Sequence, residues 1–440
     1  MGIQKRKRIS PEKIIIAGFA AVILIGALLL MLPVSNHGEL SFVDALFTAT
    51  SATCVTGLVV KNTATFWTTF GHVIILVLIQ IGGLGVITFA VLFSMISGRK
   101  IGLGQRTLMQ EAINAPRVGG IVKLTRFFVK GVILVELAGA ALLFIQFGKD
   151  YGILKGLWYS IFHSISAFCN GGFDIISTPE MEGSLCSYAF NPLVNIVVCS
   201  LILIGGIGFL TWHDVITYKF KIHKYSLQSK LVLMSTAFLV IVPTISFMLL
   251  EFKGYSTSQK FWLSLFQSVT LRTAGFNTVD FNVVSQPGLF TMILIMLIGG
   301  ASGSTAGGMK MNTWILVILA ARSIFLRRED VACFGRRIEK DTIMNAFAIF
   351  LMYLIIFIIG GILISMIEGL PILTCLFESA SGIATVGVTM GITSSLHTAS
   401  KLILVVMMFL GRVGGLTFIY ATLSGNKKYA SYPHEKVMVG

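Results

Sequence analysis

The chain has 440 residues, 55% of them hydrophobic and only 12% charged, with a formal net charge of +15 and a mean hydropathy of +0.87. This balance excludes an ordinary soluble domain and specifies a polytopic membrane protein. The excess positive charge is not a nucleic-acid signature, because Lys and Arg alternate between loops instead of forming one patch.

Lys5, Arg6, Lys7 and Arg8 precede an uncharged run over 14–34, long enough to span a bilayer and too long for the core of a signal peptide. A second span is expected at 72–95, followed by a basic loop over 98–126. Spans three and four fall at 127–147 and 191–216, with a polar stretch between them that carries Glu180, Glu182 and Cys186. A basic loop with Lys219, Lys221, Lys224 and Lys230 leads to span five at 231–250, and span six follows at 288–320. The most basic loop, 322–341, precedes spans seven (343–367) and eight (400–423). Of the 34 Lys and Arg, 24 fall on the side that holds both termini, seven on the other side and three inside spans. Basic residues mark the cytoplasmic side, so both termini are expected there.

One stretch recurs four times between these spans. Anchored on its last glycine, it reads FTATSATCVTG to Gly57, FHSISAFCNGG to Gly172, LFQSVTLRTAG to Gly275 and FESASGIATVG to Gly387. Phe47, Phe162, Leu265 and Phe377 lie ten positions before the glycines, and Ser51, Ser166 and Ser381 lie six before. In the second copy the spacing to Phe162 selects Gly172 as the anchor. Each copy is a short helical pattern closed by a polar turn. That is the layout of a re-entrant pore segment, tolerated at membrane depth only where it lines a cavity. The expected fold is all-α, with four helix–pore-loop–helix repeats in a quasi-fourfold arrangement and eight transmembrane spans. The repeats cover 1–97, 98–218, 219–325 and 326–425, and a cytoplasmic tail covers 426–440.

Four descending helices would point their negative C-terminal ends at one centre, which favours a cation. The turns carry no acidic residue. Their ligands would therefore be backbone carbonyls, which suit a weakly hydrated monovalent ion better than Ca²⁺ or Mg²⁺. Helix packing alone would explain one such glycine; four copies at one register favour the pore.

The second helix of each unit carries its own motif: IGGLG from Ile81, IGGIG from Ile204, IGGAS from Ile298 and LGRVG from Leu410. The first two read as small residues for close helix contact. The third continues as GGASGSTAGGMK over 299–310, which cannot be a stable helix and must line water or protein. It is not a phosphate-binding loop, since Met309 separates Gly308 from Lys310 and no strand precedes it. The fourth puts Arg412 within an apolar span, a functional candidate by default, with an ion pair inside the bundle as the alternative. Arg272, beside the third turn, has Glu378 or Asp44 as candidate partners and reads as structural.

CVTGLVV (54–60), NGGF (170–173), RTAGFNT (272–278) and ATVG (384–387) together resemble the Trk/Ktr/HKT superfamily of potassium transporters, most of all the bacterial Ktr-type membrane subunit. The resemblance covers nearly the whole chain. It implies a K⁺ filter at Val55, Thr56 and Gly57; Asn170, Gly171 and Gly172; Thr273, Ala274 and Gly275; and Thr385, Val386 and Gly387. It also implies an intramembrane gate of Gly299, Gly300, Ser302, Gly303, Ser304, Thr305, Gly307, Gly308 and Lys310, with Arg412 in the inner pore. It further implies a homodimer in the bacterial cell membrane, mounted on a cytosolic ring of nucleotide-binding subunits that ATP and ADP regulate. K⁺ is the expected cargo and Na⁺ a candidate activator.

This chain itself carries no dinucleotide fingerprint, P-loop or catalytic triad, so no bound cofactor and no enzymatic activity are expected. The basic inner loops suit a ring partner or anionic lipid equally, and no nucleic acid is expected. Six Cys without a CxxC pair read as reduced packing residues, and seven His lack a metal-ligand spacing. Two other classes compete. A secondary transporter would bind another small solute or cation at the broken sixth span, but such proteins usually show two repeats, not four. A membrane enzyme would need converging His, Asp and Glu, whereas Glu136 and Asp214 stand alone in the sequence.

Overall fold

The computed structural model describes residues 10–86, 120–177 and 184–422, together with Thr88, Gly102, Arg106, Thr107, Gln110 and Glu435. The expected end of span two at Met95, most of the basic loop 98–126, Glu180, Glu182 and nearly all of the tail lie outside the described residues.

Four described helices are long and apolar enough to cross a membrane unaided: α1 (Pro11–Leu30), α4 (Ile121–Tyr151), α8 (Leu227–Leu250) and α12 (Lys340–Glu368), with mean hydropathies of 2.2 to 2.9. Only 28% to 39% of each apolar stretch is buried. Leu24, Ile25 and Leu28 on α1 and Leu134 and Leu137 on α4 are at least half exposed, as lipid-facing residues should be.

Behind each long helix packs a short one: α2 (Phe42–Thr53) on α1, α5 (Ile153–Phe168) on α4, α9 (Thr257–Thr270) on α8 and α13 (Ile372–Ile383) on α12. At 12 to 16 residues these helices extend about 18–24 Å, short of the ~30 Å hydrocarbon layer. Their C-terminal halves are polar yet buried, and hydroxyls on these helices donate to carbonyls one turn back: Thr50 Oγ1 to Leu46 O (2.7 Å), Ser160 Oγ to Gly156 O (2.7 Å) and Ser268 Oγ to Ser264 O (2.7 Å). Ser41 and Ser256 cap α2 and α9, the latter in a full capping box with Gln259.

The remaining apolar helices are α3 (Thr69–Leu84), α6 (Pro192–Gly206), α7 (Phe209–Tyr218), α10 (Gln286–Met296), α11 (Met311–Phe325), α14 (Thr398–Val413) and α15 (Gly415–Thr422). Each short helix also touches the second helix of another unit: α5 meets α3, α9 meets α6, α13 meets α10, and α2 meets α14. The contacts therefore run in chain order and close from the last unit to the first.

Three expectations need correction. Residues 191–216 do not form one straight span, since α6 and α7 meet at 99°. The break is at Gly208, whose φ is +87°, and the next amide, Phe209 N, bonds to Gly303 O (2.8 Å) instead of continuing the helix. Span eight likewise stops at Gly414 (φ +92°). Arg412 thus sits beside a helix break, not within a continuous helix. Finally, the basic loop after α11 contains a small antiparallel hairpin, β1 (Ala332–Cys333) and β2 (Arg336–Arg337), turned by Phe334 and Gly335 at positive φ.

Candidate functional site

Each short helix ends one residue before a right-handed C-cap: Cys54, Cys169, Leu271 or Ala384. The chain then turns left-handed two residues before the anchor glycine, at Val55 (φ 57°), Asn170 (60°), Thr273 (67°) and Thr385 (51°). The glycines themselves are left-handed too: Gly57 at 97°, Gly172 at 67°, Gly275 at 85° and Gly387 at 95°. A non-glycine in this region costs about 1–3 kcal/mol and persists where surrounding structure imposes it, commonly at ligand clamps. All twelve expected filter residues are buried.

The turns are closed from within. Thr56 N donates to Ser51 O (2.8 Å), Gly171 N to Ser166 O (2.6 Å) and Val386 N to Ser381 O (2.8 Å). Ser51 and Ser381 then accept from Gly57 N (3.1 Å) and Gly387 N (3.0 Å), whereas Ser166 donates to Phe173 O (2.9 Å).

The third turn differs. α9 ends five residues before Gly275, while the others end four before their glycine. Thr270 Oγ1 takes the hydroxyl role, donating to Phe276 O. The extra residue shifts the register, so the buried ring of this helix is Phe266 (1% exposed), nine positions before Gly275.

The four turns converge. A Cβ built on Gly57 would lie 2.9 Å from Gly171 O and 3.4 Å from Gly387 Cα; on Gly172, 2.8 Å from Ala274 O; on Gly275, 2.8 Å from Val386 O and 3.1 Å from Thr56 O; and on Gly387, against Thr56 O. The shared centre is therefore walled by glycine Cα atoms and by the carbonyls of Thr56, Gly171, Ala274 and Val386. Thr56 Oγ1, Asn170 Oδ1 and Thr385 Oγ1 are buried nearby without a hydrogen-bond partner in the protein. No carboxylate belongs to the turns.

The second-helix motifs meet the ends of the short helices. A Cβ on Gly82, Gly205 or Gly411 would strike Thr53 O, Phe168 O or Ile383 O, so these glycines do serve close contact. The packing reading is nonetheless incomplete. Gly85, Gly208 and Gly414 all have positive φ and lie at the breaks: Gly85 and Gly414 end their helices, and Gly208 starts the next one. All four second helices break here; only the third expands into a loop.

That loop is stitched to other units. Ala301 N donates to Gly206 O (3.0 Å), Thr305 N to Gly205 O (3.3 Å) and Gly308 N to Gly411 O (3.1 Å). Thr305 Oγ1 donates to Phe168 O (3.0 Å), and Gly307 abuts Thr385. Gly299 N bonds to Met309 O and Met311 N to Gly300 O, closing the loop at its neck.

Carbonyls freed by a helix break need donors, and long side chains supply them. Arg412 donates to Thr305 O, Gly82 O and Gly83 O. Lys310 Nζ donates to Ala306 O (2.6 Å), Trp212 Nε1 to Ile204 O (2.8 Å), Trp314 Nε1 to Leu297 O (3.0 Å) and Tyr353 Oη to Gly411 O (3.3 Å). Sequence reasoning missed the three aromatic donors. A cavity of about 400 Å³ adjoins the loop, lined in part by Gly83, Ser302, Lys310, Tyr353 and Arg412.

Neither expected partner of Arg272 holds it. Asp44 pairs with Lys401 (2.8 Å), Glu378 bonds to Thr389, Met390 N and Thr393, and the guanidinium reaches Thr236 Oγ1 (3.2 Å). The six cysteines are free thiols.

A family described as TrkH, cation transport protein, matches residues 7–426, which is nearly the entire architecture just described. The chain belongs to this cation transport family. Within the TrkH family it is similar to the Ktr system potassium uptake protein B of Bacillus subtilis, 40% identical with all of both chains covered. It is also similar to the potassium/sodium uptake protein NtpJ of Enterococcus hirae, 38% identical over 99% of this chain and 98% of that one. The crystal structure of the potassium transporter TrkH from Vibrio parahaemolyticus shares the fold, with a TM-score of 0.73 at 20% identity, covering 96% of this chain and 87% of that one.

Proposed function

We propose that this chain is the potassium-translocating, channel-like subunit of a bacterial K⁺ uptake system. The ion passes through the centre ringed by Gly57, Gly172, Gly275 and Gly387, where the four carbonyls replace part of its hydration shell. The convergence of four neutral, left-handed turns on one point carries this reading. It gains support from relatives that are named potassium uptake proteins. The C-terminal ends of α2, α5, α9 and α13 add their negative dipole ends.

In this reading the fold comprises four repeats and eight crossings, with α10–α11 and the other broken second helices each counted as one. Both termini are cytoplasmic, as the basic loops direct. Residues 299–310, held by Arg412 and Lys310, obstruct the inner path. Two cationic groups beside a path of low water content repel K⁺ as well. A cytosolic nucleotide-binding ring relieves the block by pulling on α10–α11. The membrane subunit works as a homodimer in the lipid of the bacterial cell membrane, with Na⁺ a candidate activator.

The test is uptake in a bacterium lacking its own potassium uptake, with any required ring subunit supplied. Growth at low K⁺ and K⁺-over-Na⁺ flux in liposomes are the expected results. Transport of an organic solute without K⁺ flux would refute the assignment and favour a secondary transporter.

A further inference from the structure

Beyond each anchor glycine the chain climbs away from the centre, and in three units a buried polar side chain on the short helix ties that ascending segment from behind. In the second, His163 (0% exposed) pairs through Nε2 with Asp174 Oδ1 at 2.7 Å, two residues past Gly172. Asp174 also accepts from Ile176 N (2.9 Å) and Ser177 N (2.8 Å). In the third, Gln267 Nε2 donates to Thr278 Oγ1 (3.1 Å), three residues past Gly275. In the fourth, the Glu378 carboxylate (0% exposed) accepts from Thr389 Oγ1, from Met390 N (3.2 Å) and from Thr393 Oγ1 (3.0 Å).

The first unit lacks this device among the described residues. Thr48, nine before Gly57 as His163 and Glu378 are before theirs, donates instead to Asp44 O in its own helix (2.9 Å). Val59, two past Gly57, offers no side-chain polar group.

Burying His, Gln and Glu is costly even when part of each group is engaged, as with Gln267, whose Oε1 is buried without a hydrogen-bond partner, and apolar side chains of similar size would fill these places more cheaply. Each engages the segment just past its anchor glycine, which holds the turn whose carbonyl faces the centre. We infer that His163, Gln267 and Glu378 are selectivity-positioning residues, which fix three of the four turns from behind and leave the first as the compliant quarter. They do not touch the ion; they act through the backbone. The inference rests on the filter reading above.

The test compares Na⁺-to-K⁺ flux ratios of the full chain in liposomes, with any ring subunit it needs, for Thr278→Val, Glu378→Ala and Glu378→Gln. Losing a buried hydrogen bond should raise the Na⁺-to-K⁺ ratio at least about threefold in Thr278→Val, and about tenfold in Glu378→Ala. Glu378→Gln, which keeps an acceptor, should stay within about twofold of the parent. Thr278→Val alters one hydroxyl at constant shape, so it reports even if Glu378→Ala fails to fold. Unchanged ratios in folded Thr278→Val protein would overturn the inference. Gly275→Ser serves as the control: if it shifts the ratio while the tie variants do not, only the ties fail. If Gly275→Ser also leaves the ratio unmoved, the filter reading falls with them.

Discussion

The ring of turns and the loop beside it are built on opposite plans. Each turn is closed by bonds to its own short helix, such as Thr56 N to Ser51 O and Val386 N to Ser381 O. The loop 299–310 is closed largely by bonds to other units, at Gly205, Gly206 and Gly411, and by Arg412 from the fourth. A locally closed turn keeps its geometry whatever its neighbours do. A loop whose partners lie on separate helices can be released when one of them shifts. The first arrangement suits a fixed selector and the second a movable obstruction.

Changes in the ring should therefore alter which ion passes, and changes in the loop should alter how readily it passes. The largest effect is expected from Gly275→Ser, whose Cβ would lie 2.8 Å from Val386 O and 2.9 Å from Gly172 Cα. Preference for K⁺ over Na⁺ should drop by about tenfold or more, equivalent to ~1.4 kcal/mol, as read by paired flux assays. Equal relative uptake of the two ions before and after would remove Gly275 from the selector. Deleting Ser302 to Gly307 should come next, raising K⁺ flux in the absence of ring subunit or nucleotide while leaving the ion ratio unaltered. A well-folded deletion protein that still needs nucleotide would make the loop a passive hinge.

Arg412→Ala should raise basal flux more weakly. It should also lower thermal stability, because Gly82 O, Gly83 O and Thr305 O lose their donor at about 1–3 kcal/mol for a buried orphan. Higher flux at unchanged Tm would mean that those carbonyls find other donors. The smallest effect belongs to Asp44→Asn, which breaks the partly buried pair with Lys401 (2.8 Å). A loss on the order of 1 kcal/mol or less, with ion preference and basal flux both unmoved, would separate the joint between units from the ring and from the loop.

The sequence made the ring legible because everything that builds it is local. A short helix, a turn residue and a glycine recur at fixed spacing, and the twelve residues singled out by that register all lie buried in the four turns. The extra residue in the third turn, where the helix ends five positions before Gly275, is hidden by a spacing counted from the glycine. The helix breaks at Gly85, Gly208 and Gly414 were not legible, since a glycine inside an apolar run reads equally as a packing contact. Nor was the stitching by Trp212, Trp314 and Tyr353 legible, because a donor and its carbonyl lie up to 58 residues apart. The partner of Arg272 was misjudged for a related reason: formal charge suggested an acid, whereas the two candidate carboxylates are engaged elsewhere and the guanidinium meets a hydroxyl.

Ring order that follows chain order has a consequence for biogenesis. Asp44 and Lys401, which help join the last unit to the first, lie 357 residues apart. At ribosomal speeds of about 5–20 residues per second, the first unit waits roughly 20–70 s for that partner. During this interval α2 carries a polar face and a left-handed turn in the bilayer with no neighbour on one side. Insertion factors that shelter a half-built polar surface would therefore matter more to this protein than to one whose helices are apolar all round.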